Sequence, residues 1–117
     1  MLPAPHRLRR SEDFARAVRG GRHGSRLVVV HVRPSQPTVP ECRVGFVVSK
    51  AVGNAVTRNR VKRRMRAAMA ELLPQLPGGH DLVVRANPAA AESTYGQLRA
   101  ELERVAVTAV AKVEVRA

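Results

Sequence analysis

Apolar positions along the chain change period several times, and each change marks an element. Ser11-Glu12-Asp13-Phe14 reads as a helix start, with Ser11 as N-cap and two acids in the first turn. That helix is predicted to run to about Arg19 and stop at Gly20-Gly21, with Phe14 and Val18 one turn apart on one face. Arg26–Arg33 (RLVVVHVR) is a predicted strand, and Pro34, Pro37 and Pro40 then break the chain into a loop. Arg43–Lys50 (RVGFVVSK) is a second strand, predicted to pair antiparallel with the first. Gly53-Asn54 punctuates its end. A helix follows, from about Ala55 or Arg58 to Leu73, in which Val61, Met65, Ala68, Met69 and Leu72 trace one apolar face. Pro74, Pro77 and Gly78-Gly79 end it. His80–Ala86 is a third strand and Asn87-Pro88 a turn. Thr94 and Gln97 have capping-box spacing, and Leu98, Leu102, Val105 and Ala109 mark a closing helix to about Lys112. The order α-β-β-α-β-α, without repeat or linker, predicts an α+β sandwich, one domain over residues 1–117 with helices packed on a small sheet.

Composition changes this picture mainly through charge. The 117 residues carry a formal net charge of +12, with 21 basic residues against 9 acidic. Residues 1–70 hold 16 basic and 3 acidic residues, whereas residues 71–117 hold 5 basic and 6 acidic. No acid occurs between Cys42 and Ala70. An excess this large and this localised implies a polyanionic partner, nucleic acid first. Hydrophobic residues make up 44% of the chain, which excludes a disordered tail. With only Phe14, Phe46 and Tyr95 as aromatics, the core must come from Val, Leu, Ala and Met. The single Cys42 excludes an intrachain disulfide. No apolar run has membrane-spanning length, and the N-terminus lacks the apolar stretch of a signal peptide, so the expectation is a cytoplasmic protein with no membrane partner.

The segment Asn54-Ala55-Val56-Thr57-Arg58-Asn59-Arg60-Val61-Lys62-Arg63-Arg64-Met65-Arg66 is the most informative. On a helix, Arg58, Lys62 and Arg66 form one stripe and Arg60 and Arg64 a second. Like charges at four-residue spacing destabilise a helix by a few tenths of a kcal/mol per pair, a cost that interleaved acids would remove. Their absence points to polyanion binding, and the helix N-terminus near Asn54 adds free N–H donors for a phosphate. Asn59 between two arginines offers a base-edge donor and acceptor, and Phe14 and Phe46 are candidate stacking platforms for unpaired bases, which favours RNA over duplex DNA.

The run Arg43-Val44-Gly45-Phe46-Val47-Val48-Ser49-Lys50, then Gly53-Asn54-Ala55-Val56, then Arg58-Asn59-Arg60-Val61-Lys62-Arg63 closely resembles the protein subunit of bacterial ribonuclease P. The resemblance extends to Leu8, to Asp13-Phe14 and to Asp81-Leu82-Val83-Val84-Arg85 ahead of Pro88. It implies a small mixed sheet with a left-handed βαβ crossover, as in the ribosomal protein S5 domain 2-like fold, an exception to the usual handedness. It implies an auxiliary subunit that helps a catalytic RNA remove the 5′ leader from precursor tRNA, with Mg²⁺ held mainly by the RNA. Carried over by motif, Lys50, Asn54, Arg58, Asn59, Arg60, Lys62, Arg63 and Arg66 would meet the catalytic RNA. Phe14, Val18, His31, Phe46 and Arg85 would meet the leader. Val18 stands where relatives often carry a second Phe, His31 where some carry Tyr, and Ala51 where some carry a second Lys. Those departures shift the expected leader contact from stacking toward arginine.

No catalytic or metal-ligand constellation is expected on the chain itself. His6, His23, His31 and His80 are scattered without ligand spacing, and the basic half lacks carboxylates for Mg²⁺. Residue chemistry alone leaves three alternatives open: a structural RNA-binding protein, a DNA-binding module with the basic helix in the major groove, and a nuclease acting alone. A strand rather than a helix precedes Arg58, which argues against a helix-turn-helix, and no DNA partner is expected.

Overall fold

The computed structural model describes residues 2–35 and 39–116 and contains three helices and a four-stranded sheet. In chain order these are α1 (Ser11–Val18), β1 (Gly21–Gly24), β2 (Val28–Pro34), β3 (Arg43–Val47), α2 (Ala55–Leu72), β4 (His80–Ala86) and α3 (Tyr95–Arg116). The sheet order is β1-β2-β4-β3. β2 pairs antiparallel with both β1 and β4, and β3 pairs parallel with β4, so β3, α2 and β4 form a βαβ unit. No described helix is long and apolar enough to cross a membrane.

The expected pairing of the first two long strands is corrected: β4 lies between β2 and β3. The central place goes to the strand that tolerates burial on both faces. Leu82, Val83 and Val84 of β4 are all fully buried, whereas β3 carries Arg43 and Gly45 on one of its faces. β1 adds a strand that the apolar pattern did not predict, because two of its four residues are glycine and none is apolar. The second predicted strand stops at Val47, and Lys50 opens a 3-10 turn over Lys50–Val52. Pro34 closes β2 instead of opening the loop, and Pro37 lies outside the described residues. Ser11 is not the N-cap of α1: that place falls to Arg10, with no side-chain cap, and Ser11 is the first helical residue. The capping box on α3 is present, with the Gln97 N–H donating to Thr94 Oγ1 at 3.1 Å and the Thr94 N–H to Gln97 Oε1 at 3.0 Å.

Strand alternation divides the core. Val28, Val30, Val32, Val44, Leu82 and Val84 face α2 and α3, where all five predicted apolar positions of α2 are buried. Among the described residues, the other sheet face is covered by α1 and the segment before it, through Leu8, Ala17 and Val83, with Phe14, Val18 and Val47 partly buried around them. One face is therefore sealed and the other half open.

α1 is tied to the sheet by charge. Arg43 on β3 makes a bidentate pair with Asp81 on β4, both hydrogen bonds at 2.8 Å, and approaches Asp13 on α1 at 3.5 Å. Arg16 holds the other oxygen of Asp13 at 2.6 Å. Asp13 and Asp81 are 6% and 5% exposed, so both buried carboxylates are neutralised where they sit.

Candidate nucleic-acid interface

Gly53 precedes α2 at φ 155°, inside the range that L side chains avoid, and turns the chain from the Lys50–Val52 turn into the helix. The helix begins at the Asn54 cap, whose Oδ1 accepts from the Thr57 N–H at 2.9 Å. Seven cations lie between Lys50 and Arg66, and among the described residues none of them forms an ion pair. Lys50, Asn54, Asn59, Arg63 and Arg66 are exposed, and Arg58, Arg60, Lys62 and Arg64 are half-buried.

The two basic stripes face different surroundings. Arg60 Nη2 donates to the Ala91 carbonyl at 3.1 Å and Arg64 Nη1 to the Ser93 carbonyl at 3.0 Å. These arginines fasten the 3-10 turn Pro88–Glu92, which follows β4, onto the flank of α2. On the other flank, Lys62 and Arg66 line a cavity of about 340 Å³ with Arg7, Arg9, Phe14 and Phe46. Arg58 is half-buried, its Nε without a partner, and Val56 stands 75% exposed in the first turn of the same helix.

The second predicted group divides between the two faces of the sheet. The register rows Arg22–His31–Val83–Gly45 and Gly24–Val29–Arg85–Val47 cross the α1-facing side. Val18, at the end of α1, packs on that side, and Arg85 is exposed there. His31 is 4% exposed, and among the described residues neither ring nitrogen makes a well-formed hydrogen bond, the Val18 backbone being only a poorly aligned neighbour. Burial, then the charges of Arg85 and Arg22, hold its pKa below the ordinary histidine value, against a smaller opposing contact with the Val18 backbone. The ring therefore lies beneath this surface instead of on it. Phe46 points the other way, toward the face covered by α2. Phe14 and Phe46 nevertheless meet at one cavity, because β3 is an edge strand and the cavity wraps around that edge.

The N-terminal segment contributes residues that were not anticipated. The Leu8 N–H donates to the Val44 carbonyl at 3.0 Å and Arg7 forms a parallel bridge to Val44, laying residues 7 and 8 along the edge of β3. His6 Nδ1 lies 2.9 Å from the Cys42 carbonyl. Arg7 and Arg9 thereby join the cavity wall. The cluster of arginines at 7, 9 and 10 was the available signal, but only the strand pairing assigns two of them to this site.

The donor set does not suit a divalent cation on the protein. Among the described residues no three His, Cys, Asp or Glu side chains come together as ligands, and the buried carboxylates Asp13 and Asp81 are occupied by guanidinium groups.

The family model of ribonuclease P matches residues 2–110. The ribonuclease P protein component of Kocuria rhizophila is 54% identical over 111 residues, 94% of this chain and 96% of the relative. The solved structure of the Staphylococcus aureus RNase P protein superposes with a TM-score of 0.79 at 30% identity, covering 90% of this chain and 96% of that one. The RNase P protein of Thermotoga maritima gives a TM-score of 0.74 at 27% identity, covering 85% and 96%.

Proposed function

Because the chain belongs to the ribonuclease P protein family and is a protein component of that enzyme in tRNA 5′ processing, we propose that it works through two adjoining surfaces. The outward side of α2, with Lys50, Asn54, Arg58, Asn59, Lys62, Arg63 and Arg66, docks the catalytic RNA. The α1 side of the sheet and the cavity at the edge of β3 receive the single-stranded leader of precursor tRNA, through Phe14, Val18, Phe46 and Arg85 over the buried His31. Arg60 belongs to the first surface through its position and to the fold through its bond to Ala91.

One observation carries this reading: Arg7, Arg9, Lys62 and Arg66, which form no ion pair among the described residues, share a cavity with two aromatic rings. Unpaired cations bind phosphate with release of counterions, and rings stack unpaired bases. Lys62 and Arg66 sit where the two surfaces meet, so the chain screens the repulsion between two polyanions brought side by side. The hydrolytic Mg²⁺ is held mainly by the RNA, consistent with the poor fit of the protein's donor set, and the protein's contribution is positioning and charge neutralisation. A precursor tRNA substrate supports a cytoplasmic location.

The test is leader-dependent affinity. The ribonuclease P RNA alone and its complex with the chain are titrated with precursor and mature tRNA at low Mg²⁺. The chain is expected to raise the preference for precursor, and an unchanged preference refutes the reading. Cleavage of precursor by the chain without RNA would assign the chemistry to the protein instead.

A further inference from the structure

Two consecutive residues of α1 meet two alternate residues of β3. Arg43 and Gly45 share one face of the strand, and Asp13 and Phe14 approach them from the helix. Asp13 takes the Arg43 guanidinium. Phe14 takes the place that a side chain on residue 45 would fill. A Cβ built on Gly45 would lie 2.2 Å from Phe14 Cζ, 2.5 Å from Cε1 and 2.9 Å from Cε2. All three atoms belong to the far end of the ring, so Phe14 stands tip-down on the strand backbone. Any side chain at position 45, even a single methyl, occupies the same space.

The strand cannot yield to relieve that clash, because Gly45 pairs in register with Val83 of the central strand β4. The ring can yield by rotating about its side-chain torsions, since the cavity lies beside it. We propose that Gly45 is a positioning residue for leader binding: its missing side chain seats the Phe14 ring against the edge of β3, so that the ring walls the cavity and stacks an unpaired nucleobase. The Arg43–Asp13 pair fixes the approach of α1 that makes this seat possible. The inference rests on the reading of the cavity as part of the leader site.

Four proteins test it: wild type, Gly45→Ala, Phe14→Ala and the double variant, each assembled with the ribonuclease P RNA. The primary readout is the ratio of affinities for precursor and mature tRNA. Losing one aromatic–base stack lowers that ratio by roughly 5- to 150-fold. Phe14→Ala is expected to fall in this range and Gly45→Ala to lose most of the same factor. Affinity for the RNA subunit and its salt dependence should be unchanged in both. The double variant should be no worse than Phe14→Ala, since with no ring to displace the methyl costs nothing. A Gly45→Ala ratio within twofold of wild type, beside a lowered Phe14→Ala ratio, overturns the seat alone. Multiplying losses in the double variant do the same. An unchanged ratio in Phe14→Ala overturns the leader reading itself. Thermal melting without RNA gives an independent check: Gly45→Ala should lower Tm when Phe14 is present and not when it is absent. Equal loss in both backgrounds refutes the seat.

Discussion

Arg60 and Arg66 carry the same side chain on the same helix, and the structure gives them different work. Arg66 is exposed, lines the cavity and forms no ion pair among the described residues. Arg60 is half-buried and spends one guanidinium nitrogen on the Ala91 carbonyl. Arg66→Ala should therefore remove a phosphate contact and leave the fold intact. One lost contact flattens the slope of log affinity against log salt by about 0.7–0.9. Between 50 and 200 mM salt that slope change amounts to about a threefold difference in how far affinity falls. Arg60→Ala should act first on stability. A hydrogen bond from a charged donor contributes about 1.5–3 kcal/mol, and partial exposure reduces this to roughly 1–2 kcal/mol. In a domain of this size that loss lowers Tm by about 4–8 °C. The assay pairs thermal melting of the free protein with RNA binding across a salt series. Hydrogen exchange at residues 88–93 should rise in Arg60→Ala and stay at wild-type level in Arg66→Ala. If Arg60→Ala flattened the salt slope as much as Arg66→Ala while its Tm and exchange were unchanged, the role of Arg60 in holding the Pro88–Glu92 turn would be refuted.

Two further variants probe buried chemistry. His31→Phe removes two unpartnered buried nitrogens, and should raise Tm. It should also remove a pH dependence, because a histidine whose folded pKa is depressed costs stability as pH falls below its unfolded value of about 6.5. Melting at pH 5 and pH 7.5 reads both effects, and a wild-type protein equally stable at the two pH values would argue against the orphaned ring. Glu101 on α3 has a pKa below the usual carboxylate value: burial raises it, but the Ser25 hydroxyl, the Leu27 amide and the charges of Arg104 and Arg26 outweigh burial. A depressed carboxylate stabilises above its unfolded pKa and loses that contribution as pH falls through the folded value, so the turn between β1 and β2 should loosen in acid. Glu101→Gln should abolish that acid-induced rise in Leu27 amide exchange, and persistence of the rise would place its cause elsewhere.

Some of this architecture was legible along the chain. His80–Ala86 was readable to the residue, because an apolar run stands between Gly78-Gly79 and Asn87-Pro88. The apolar face of α2 was readable because five positions keep one helical phase. Strand adjacency was not, although a clue was present: VVV in β2 and LVV in β4 are continuous apolar runs suited to neighbouring, doubly covered positions, while RVGFV in β3 alternates as an edge strand does. β1 left no apolar trace because its stability comes from pairing with β2. The division of the arginine stripes was likewise hidden. Spacing predicts that Arg60 and Arg64 differ in direction from Arg58, Lys62 and Arg66, but the carbonyls they meet come from a turn some thirty residues later.

Net charge gave the partner's class, and the distribution of acids explains why the charge stays available. Among the described residues the acids that form ion pairs do so away from the basic stretch of α2. Asp13 and Asp81 lock α1 and β3 to the central strand, Glu71 holds Arg99 on α3, and Glu114 approaches His80. Each joins elements that have to pack, and Asp13, Asp81 and Glu71 each neutralise an arginine there. The helix from Ala55 to Leu72 has its single acid, Glu71, at the far end from Arg58, and that acid is already engaged by Tyr95 and Arg99. Local neutralisation therefore stops where the interface begins. A uniformly basic protein would bind polyanions without orientation. This one places its densest run of unpaired cations on α2, next to the aromatic cavity that Arg7 and Arg9 also line, and so favours one side for an RNA to lie on.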